Sequence, residues 1–85
     1  MWTKENIPIR FEHQGQGYEG YFSPQESTTG YIFQAIFRRV GSQHNYYCGM
    51  LIFYRAEQSW VFHANTPSMK NLADWFGQQI IAWVQ

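Results

Sequence analysis

The chain has 85 residues, no formal net charge at neutral pH and a high content of aromatic residues. This length accommodates one small domain with a thin core, and we expect residues 1–85 to form it. A balanced charge disfavours nucleic acid as the main partner, because phosphate contacts require clustered lysine and arginine. With 20% aromatic and only 14% charged residues, we expect a surface with exposed apolar area, for which a partner is the usual reason.

The single cysteine, Cys48, excludes an intrachain disulfide, so the chain is not built like a disulfide-stapled secreted domain. No apolar run approaches the roughly 20 residues of a membrane span, and no membrane association is predicted. Residues 1–6 form a polar lead-in without the apolar core of a signal peptide. We therefore expect a cytoplasmic protein, while a mature exported form whose signal had been removed would have the same sequence.

Residues 7–64 alternate between apolar and polar side chains in five segments, which predicts a β-meander. Pro8 places the first strand at a sheet edge, because proline cannot donate to a strand ladder. The third and fourth segments are apolar on both faces and are therefore predicted to be central. The stretch 24–30 contains no apolar side chain other than Pro24 and predicts a loop. The predicted strands are 7–13, 18–23, 31–39, 46–55 and 60–64.

Residues 67–85 predict one amphipathic helix that begins at Pro67, with Thr66 as its capping residue. On a wheel of 100° per residue, one apolar stripe lies within about 60° of Met69. Trp75 lies outside this stripe, whereas Gly77 lies at its edge and predicts a close approach to a strand. The other members of the predicted buried stripe are Leu72, Ala73, Phe76, Ile80, Trp83 and Val84.

These elements predict an α+β fold: a five-stranded antiparallel meander with a curved sheet and one C-terminal amphipathic helix packed on one face. One helix covers only one face of a sheet, yet two strands are apolar on both faces. The second face must therefore be closed by strong curling of the sheet or by a second copy of the chain. We favour a dimer, because five strands are few for complete closure.

The ionisable residues do not form a pattern that predicts catalysis, and no catalytic residue, metal or cofactor is predicted. Glu12 and Glu19 would lie near the end of one hairpin, either as an acid–base pair or, as we expect, as solvated charges beside Arg10. Cys48 lies in an apolar strand and is expected to be an inert, small buried side chain. The three histidines, His13, His44 and His63, are too far apart in sequence to match the spacing of a metal-ligand motif.

Aromatic side chains give the best indication of function, because they exceed what a thin core can bury. They predict a partner or ligand surface that includes Tyr21, Tyr31, Tyr46, Tyr47, Tyr54, Trp60 and Trp75. Such residues are enriched in homodimer interfaces. We therefore expect a non-catalytic interaction module that self-associates through an aromatic-rich sheet face.

Two other uses of the aromatic residues stay open. One is a pocket for a small molecule or peptide between the helix and the curved sheet, lined by Tyr18, Phe33, Trp60 and Trp83. The other, which the charge balance disfavours, is a stacking surface for single-stranded nucleic acid. It would use the nearby basic residues Arg10, Arg38, Arg39 and Arg55.

Overall fold

The computed structural model describes residues 5–27 and 30–84. Most of the predicted polar lead-in, the middle of the predicted loop at 28–29, and residue 85 lie outside the described residues. Strands that are consecutive in sequence are neighbours in one antiparallel sheet, which makes the sheet a meander. The strands are β1 (Ile7–His13), β2 (Gln16–Gln25), β3 (Gly30–Arg39), β4 (Tyr46–Tyr54) and β5 (Ser59–Ala64).

The predicted fold class is confirmed: the sheet curls into a half-barrel, and a C-terminal helix completes an α+β fold. Burial alternates along β1, where Ile7 and Phe11 are buried while Pro8 and Arg10 are exposed. β1 is an edge strand, as Pro8 predicted. The two strands that are apolar on both faces, β3 and β4, lie inside the sheet as expected.

Strand β2 is longer than predicted and includes Pro24, which was assigned to a loop. Pro24 lies opposite Phe33 of β3. On the other side of β2, the register with β1 ends at the pair Ile7–Phe22. Pro24 therefore has only one neighbouring strand, and its missing N–H does not interrupt a ladder on the open side.

The predicted single helix is divided into a 3₁₀ segment, Pro67–Leu72, and helix α1, Ala73–Val84. The predicted side-chain cap is not formed: Thr66 makes no capping bond, and its carbonyl instead accepts the Met69 N–H at 3.0 Å. This i to i+3 bond is the one that defines a 3₁₀ turn, a frequent start to an α-helix. No helix in the described ranges is long and apolar enough to span a membrane.

Trp83 was predicted to be buried, but it is 42% exposed. The prediction measured the angular position of every residue from Met69 and assumed one uniform α-helix. Met69 lies in the 3₁₀ segment, whose tighter turns change its angular position relative to the residues of α1. The buried residues of α1 are Ala73, Phe76, Gly77 and Ile80. On a helical wheel they form an arc whose two limits are Phe76 and Gly77, and the centre of this arc is about 70° from Trp83. Trp83 therefore lies on the flank of the helix.

The core lies between α1 and the sheet, and Phe76 is at its centre. The Phe76 ring centroid lies 5.1 Å from that of Phe11 and 5.3 Å from those of Phe22 and Phe62. All three pairs meet edge to face, the arrangement that the charge distribution of aromatic rings favours. Phe76 thereby joins strands β1, β2 and β5 to the helix.

The sheet has an inner face toward α1 and an outer face away from it. Cross-strand partners in the observed register point to the same side. The inner face supplies the buried sheet residues Ile7, Phe11, Phe22, Phe33, Ala35, Phe37, Leu51, Trp60 and Phe62. The outer face includes Pro8, Arg10, Glu19, Tyr21, Ser23, Ile32, Gln34, Ile36, Arg38, Tyr47, Met50, Ile52, Tyr54, Val61 and His63. None of these outer-face residues is buried.

Candidate functional site

The aromatic residues predicted to form one surface are divided between different parts of the molecule. Three of them, Tyr21, Tyr47 and Tyr54, lie on the outer face. Tyr47 is 48% exposed. The Tyr54 hydroxyl lies 3.2 Å from Nε2 of His63, also on the outer face. These three residues belong to a single surface, and their role in binding a partner stays a prediction.

The other four residues lie elsewhere. Tyr31 is on the inner face, where the Arg55 guanidinium lies 5.1 Å above its ring. Trp60 is buried beneath α1, and an added Cβ at Gly77 would overlap its indole ring, so the predicted close approach at this glycine is confirmed. Trp75 is on the helix flank, with its ring 6.2 Å from that of Phe11. Tyr46 faces the same side as Phe37, at one end of the inner face.

Two apolar rows cross the outer face. One row follows the pairs Pro8–Tyr21–Ile36–Tyr47 from β1 to β4. The second row, from β3 to β5, consists of Ile32, Ile52 and Val61. A more polar row lies between them, formed by Ser23, Gln34, Met50 and His63. The isoleucines were not among the predicted site residues, although their signal was the apolar pattern on both faces of β3 and β4.

The charged residues of the outer face are concentrated at one end. Arg10, Glu19 and Arg38 are cross-strand neighbours there, and Arg38 Nε donates to Glu19 Oε1 at 3.2 Å. Both side chains are substantially exposed, so this ion pair adds little stability. Because the Glu19 carboxylate is paired with Arg38, the geometry favours the solvated-charge interpretation of Glu12 and Glu19 over an acid–base pair.

The histidines are separated in the structure. His13 Nε2 lies 3.1 Å from the Ser68 hydroxyl and joins the end of β1 to the 3₁₀ segment. His63 is bonded to Tyr54 on the outer face. In the part of the chain that the structure describes, no three His, Cys, Asp or Glu residues are grouped as metal ligands would be.

The arginines also lie on different surfaces. Arg10 and Arg38 are at one end of the outer face, while Arg39 is on the side of Tyr18. Arg55 is stacked on Tyr31, at the opposite end of the inner face. This distribution lacks the continuous basic groove that a single-stranded nucleic acid requires.

A second candidate site is a cleft of about 570 Å³ at one end of the helix–sheet interface. It does not match the predicted pocket, because Phe33 and Trp60 are buried with their ring centroids 6.1 Å apart, and Trp83 is on the helix flank. We call it the bulge cleft. Its lining residues are Tyr18, Phe37, Arg38, Arg39, Ser42, Tyr46, Tyr47, Cys48, Asn65, Thr66 and Met69.

Cys48 was predicted to be buried within a regular strand. In the structure it is only partly buried and lines the bulge cleft. The pairing of β3 with β4 shifts between Ala35 and Ile36, which leaves Cys48 as the extra residue of a β-bulge. Partial burial raises the pKa of the Cys48 thiol, and a hydrogen bond with the Phe37 backbone partly opposes this. The thiol is therefore protonated at neutral pH, which limits its reactivity.

The outer face and the bulge cleft are thus the two surfaces whose geometry suggests a function. A scan against protein-family models and searches of curated proteins and of solved structures find no match to this chain. Function is therefore inferred from these two surfaces alone.

Proposed function

We propose that the protein is a non-catalytic interaction module that forms a homodimer through its outer face. The observation that carries the proposal is the pair of apolar rows on this face, none of whose residues is buried in the single chain. Ile36 and Ile52 lie near the middle of the face, and Val61 is 37% exposed near one side. Covering these side chains would remove apolar area from water, which is the main favourable term in association.

The order of the rows makes this face complementary to itself. Each apolar row is two residues from the more polar row that contains Gln34 and Met50. A two-fold axis through that row would place Ile36 of one protomer against Ile52 of its partner, and the reverse. Because the sheet curls toward α1, its outer face is convex, and two copies packed in this way would meet mainly through the central part of the face around Ile36 and Ile52.

The outer face offers a projected area close to that of a standard interface. Five strands of 6 to 10 residues, about 4.8 Å apart, span on the order of 700 Å². Standard interfaces bury about 800 Å² on each partner. Among the residues that the structure describes, none at the centre of the face is charged, because Arg10, Glu19 and Arg38 are at one end. This depletion of charge is typical of interface centres.

A partner other than a second copy would bury the same surface and is the alternative outcome of the test. The single thiol, Cys48, supports a reducing compartment such as the cytoplasm as the setting for this module.

Sedimentation velocity over a micromolar concentration series tests the proposal. We expect a species of twice the chain mass, in equilibrium with monomer at the lowest concentrations. A sharp monomer boundary throughout the series would contradict self-association. It would leave the outer face as a surface for a different protein.

A further inference from the structure

The helical segment does not cover the whole inner face. The inner-face pair Tyr18–Arg39 and the pair Phe37–Tyr46 lie at the end of the sheet where the chain turns into the 3₁₀ segment. Met69 of that segment borders this region, which opens as the bulge cleft. Its volume of about 570 Å³ falls within the range of small-molecule sites, roughly 300–1,000 Å³.

The β-bulge fixes one wall of the cleft. Gly49 has φ +144°, and an added Cβ there would collide with the carbonyl of His63, so the bulge depends on a glycine at this position. Asn65 then holds the bulged strand through two bonds: its N–H donates to the Cys48 carbonyl and its Nδ2 to the Tyr47 carbonyl, both at 2.9 Å. This wall is therefore held in place before any ligand binds.

The lining combines apolar surface with unopposed positive charge. Phe37 and Met69 are buried and form an apolar floor, while Tyr46 is 56% exposed and presents a free ring as a wall. Arg39 points to the same side as Tyr18, and among the described residues no carboxylate pairs with it. In the described parts of the chain, no acidic residue lines the cleft. The hydroxyl of Thr66, which makes no capping bond, adds a polar group to the rim.

We propose that the bulge cleft binds a small planar aromatic anion, such as an aromatic carboxylate. The ligand ring would stack on the exposed ring of Tyr46, above the floor formed by Phe37 and Met69, where it gains apolar burial. The carboxylate would reach Arg39, whose guanidinium forms strong charge-assisted bonds to carboxylates. The cleft shares Arg38 and Tyr47 with the outer face, but the residues proposed to hold the ligand, Arg39 and Tyr46, are not part of the proposed dimer interface.

The experiment is a titration followed by backbone amide NMR shifts, with 2-naphthoate as probe and the neutral 2-naphthalenemethanol as its matched analogue. We expect saturable shifts centred on Tyr46, Cys48 and Met69, and weaker binding of the neutral analogue. Arg39→Gln should weaken 2-naphthoate binding about tenfold, the loss of one charge-assisted bond. The control, Arg10→Gln at the charged end of the outer face, should bind as the unmodified protein does.

The proposal is overturned by shifts centred outside the cleft or by the absence of saturable shifts. It is equally overturned by equal affinity for the two probes, or by equal effects of Arg39→Gln and Arg10→Gln. Arg39 is exposed at the C-terminal end of β3, so its replacement should leave the fold intact, which the amide spectrum itself reports. Repeating the titration on Ile36→Lys separates the two proposals, because cleft binding should persist in a chain that no longer self-associates.

Discussion

Phe76 shows how strongly one side chain determines the stability of this chain. Its ring is fully buried and touches aromatic rings from strands β1, β2, β3 and β5. Its burial was predicted from the helical period, because a residue at the centre of an apolar stripe is buried wherever the stripe faces a sheet. Its particular ring partners could not be predicted, since they depend on the strand order.

Phe76→Ala should therefore lower the free energy of unfolding by about 3–5 kcal/mol, since a large buried ring leaves a cavity. This is a large part of the total for a chain whose stability is roughly 4–13 kcal/mol. Urea denaturation measures the change. The matched control, Trp75→Ala, should cost about 1 kcal/mol or less, because its ring is 42% exposed. Equal losses in the two variants would contradict the assignment of Phe76 to the centre of the core.

A second prediction at the residue scale concerns the pH dependence of the reactivity of Cys48. Its raised pKa means that the folded chain contains less thiolate than the unfolded chain at any pH near the pKa. The rate of alkylation by iodoacetamide should therefore rise at a higher pH in the folded protein than in the same protein in urea. A folded-state profile that rises at the lower pH would contradict the partial burial of the thiol.

At the scale of the elements, Gly77 determines how closely α1 approaches the sheet. Alanine at an interior helix position is usually about 1 kcal/mol more favourable than glycine. Here an added methyl would overlap the Trp60 indole ring. Gly77→Ala should therefore destabilise the protein, by about 1–3 kcal/mol, as overpacked cores do.

Thermal denaturation measures this change, with Gln78→Ala as control, because Gln78 is an exposed neighbour in the same helix. The control should be neutral or slightly stabilising. A more stable Gly77→Ala variant would show that α1 can move away from Trp60 without loss.

Sequence periodicity predicts the type and order of these elements better than it predicts which side chains of each element face the core. Alternation over two residues located all five strands, because the buried side chains of each strand lie on one face of the sheet. Trp83 was wrongly assigned to the core because an assumed uniform helix ignores the 3₁₀ turns before α1. The bulge at Cys48 could not be predicted, since a bulge is defined by the register of two strands and not by one strand's pattern.

At the scale of the whole molecule, the aromatic residues were correctly expected to exceed the core, but their grouping could not be predicted. Alternation assigns relative faces only within one strand, and the register is needed to combine faces across strands. Tyr21 and Tyr47 thus share the outer face, whereas Trp60 is beneath the helix. The same register places Ile36 and Ile52 on one face, in the two apolar rows on which the proposed interface depends.

Ile36→Lys should convert the dimer to monomer, because a lysine in the centre of an apolar interface must lose its hydration. Ile36 is only partly buried in the single chain, so the fold should remain. The matched control is Trp83→Lys, which also replaces a large, exposed apolar residue but on the helix flank. Sedimentation velocity distinguishes the two variants. Equal dissociation, or dissociation only in Trp83→Lys, would move the interface to the helix.

The most direct test of the proposed interface is an isotope-filtered NOE spectrum of a sample in which labelled and unlabelled chains are mixed. We predict intermolecular NOEs between the methyl groups of Ile36 in one protomer and Ile52 in its partner, with further NOEs to the Tyr47 ring. Intermolecular NOEs confined to Trp75 and Trp83 would contradict this interface. Their complete absence at concentrations where sedimentation detects a dimer would contradict it equally.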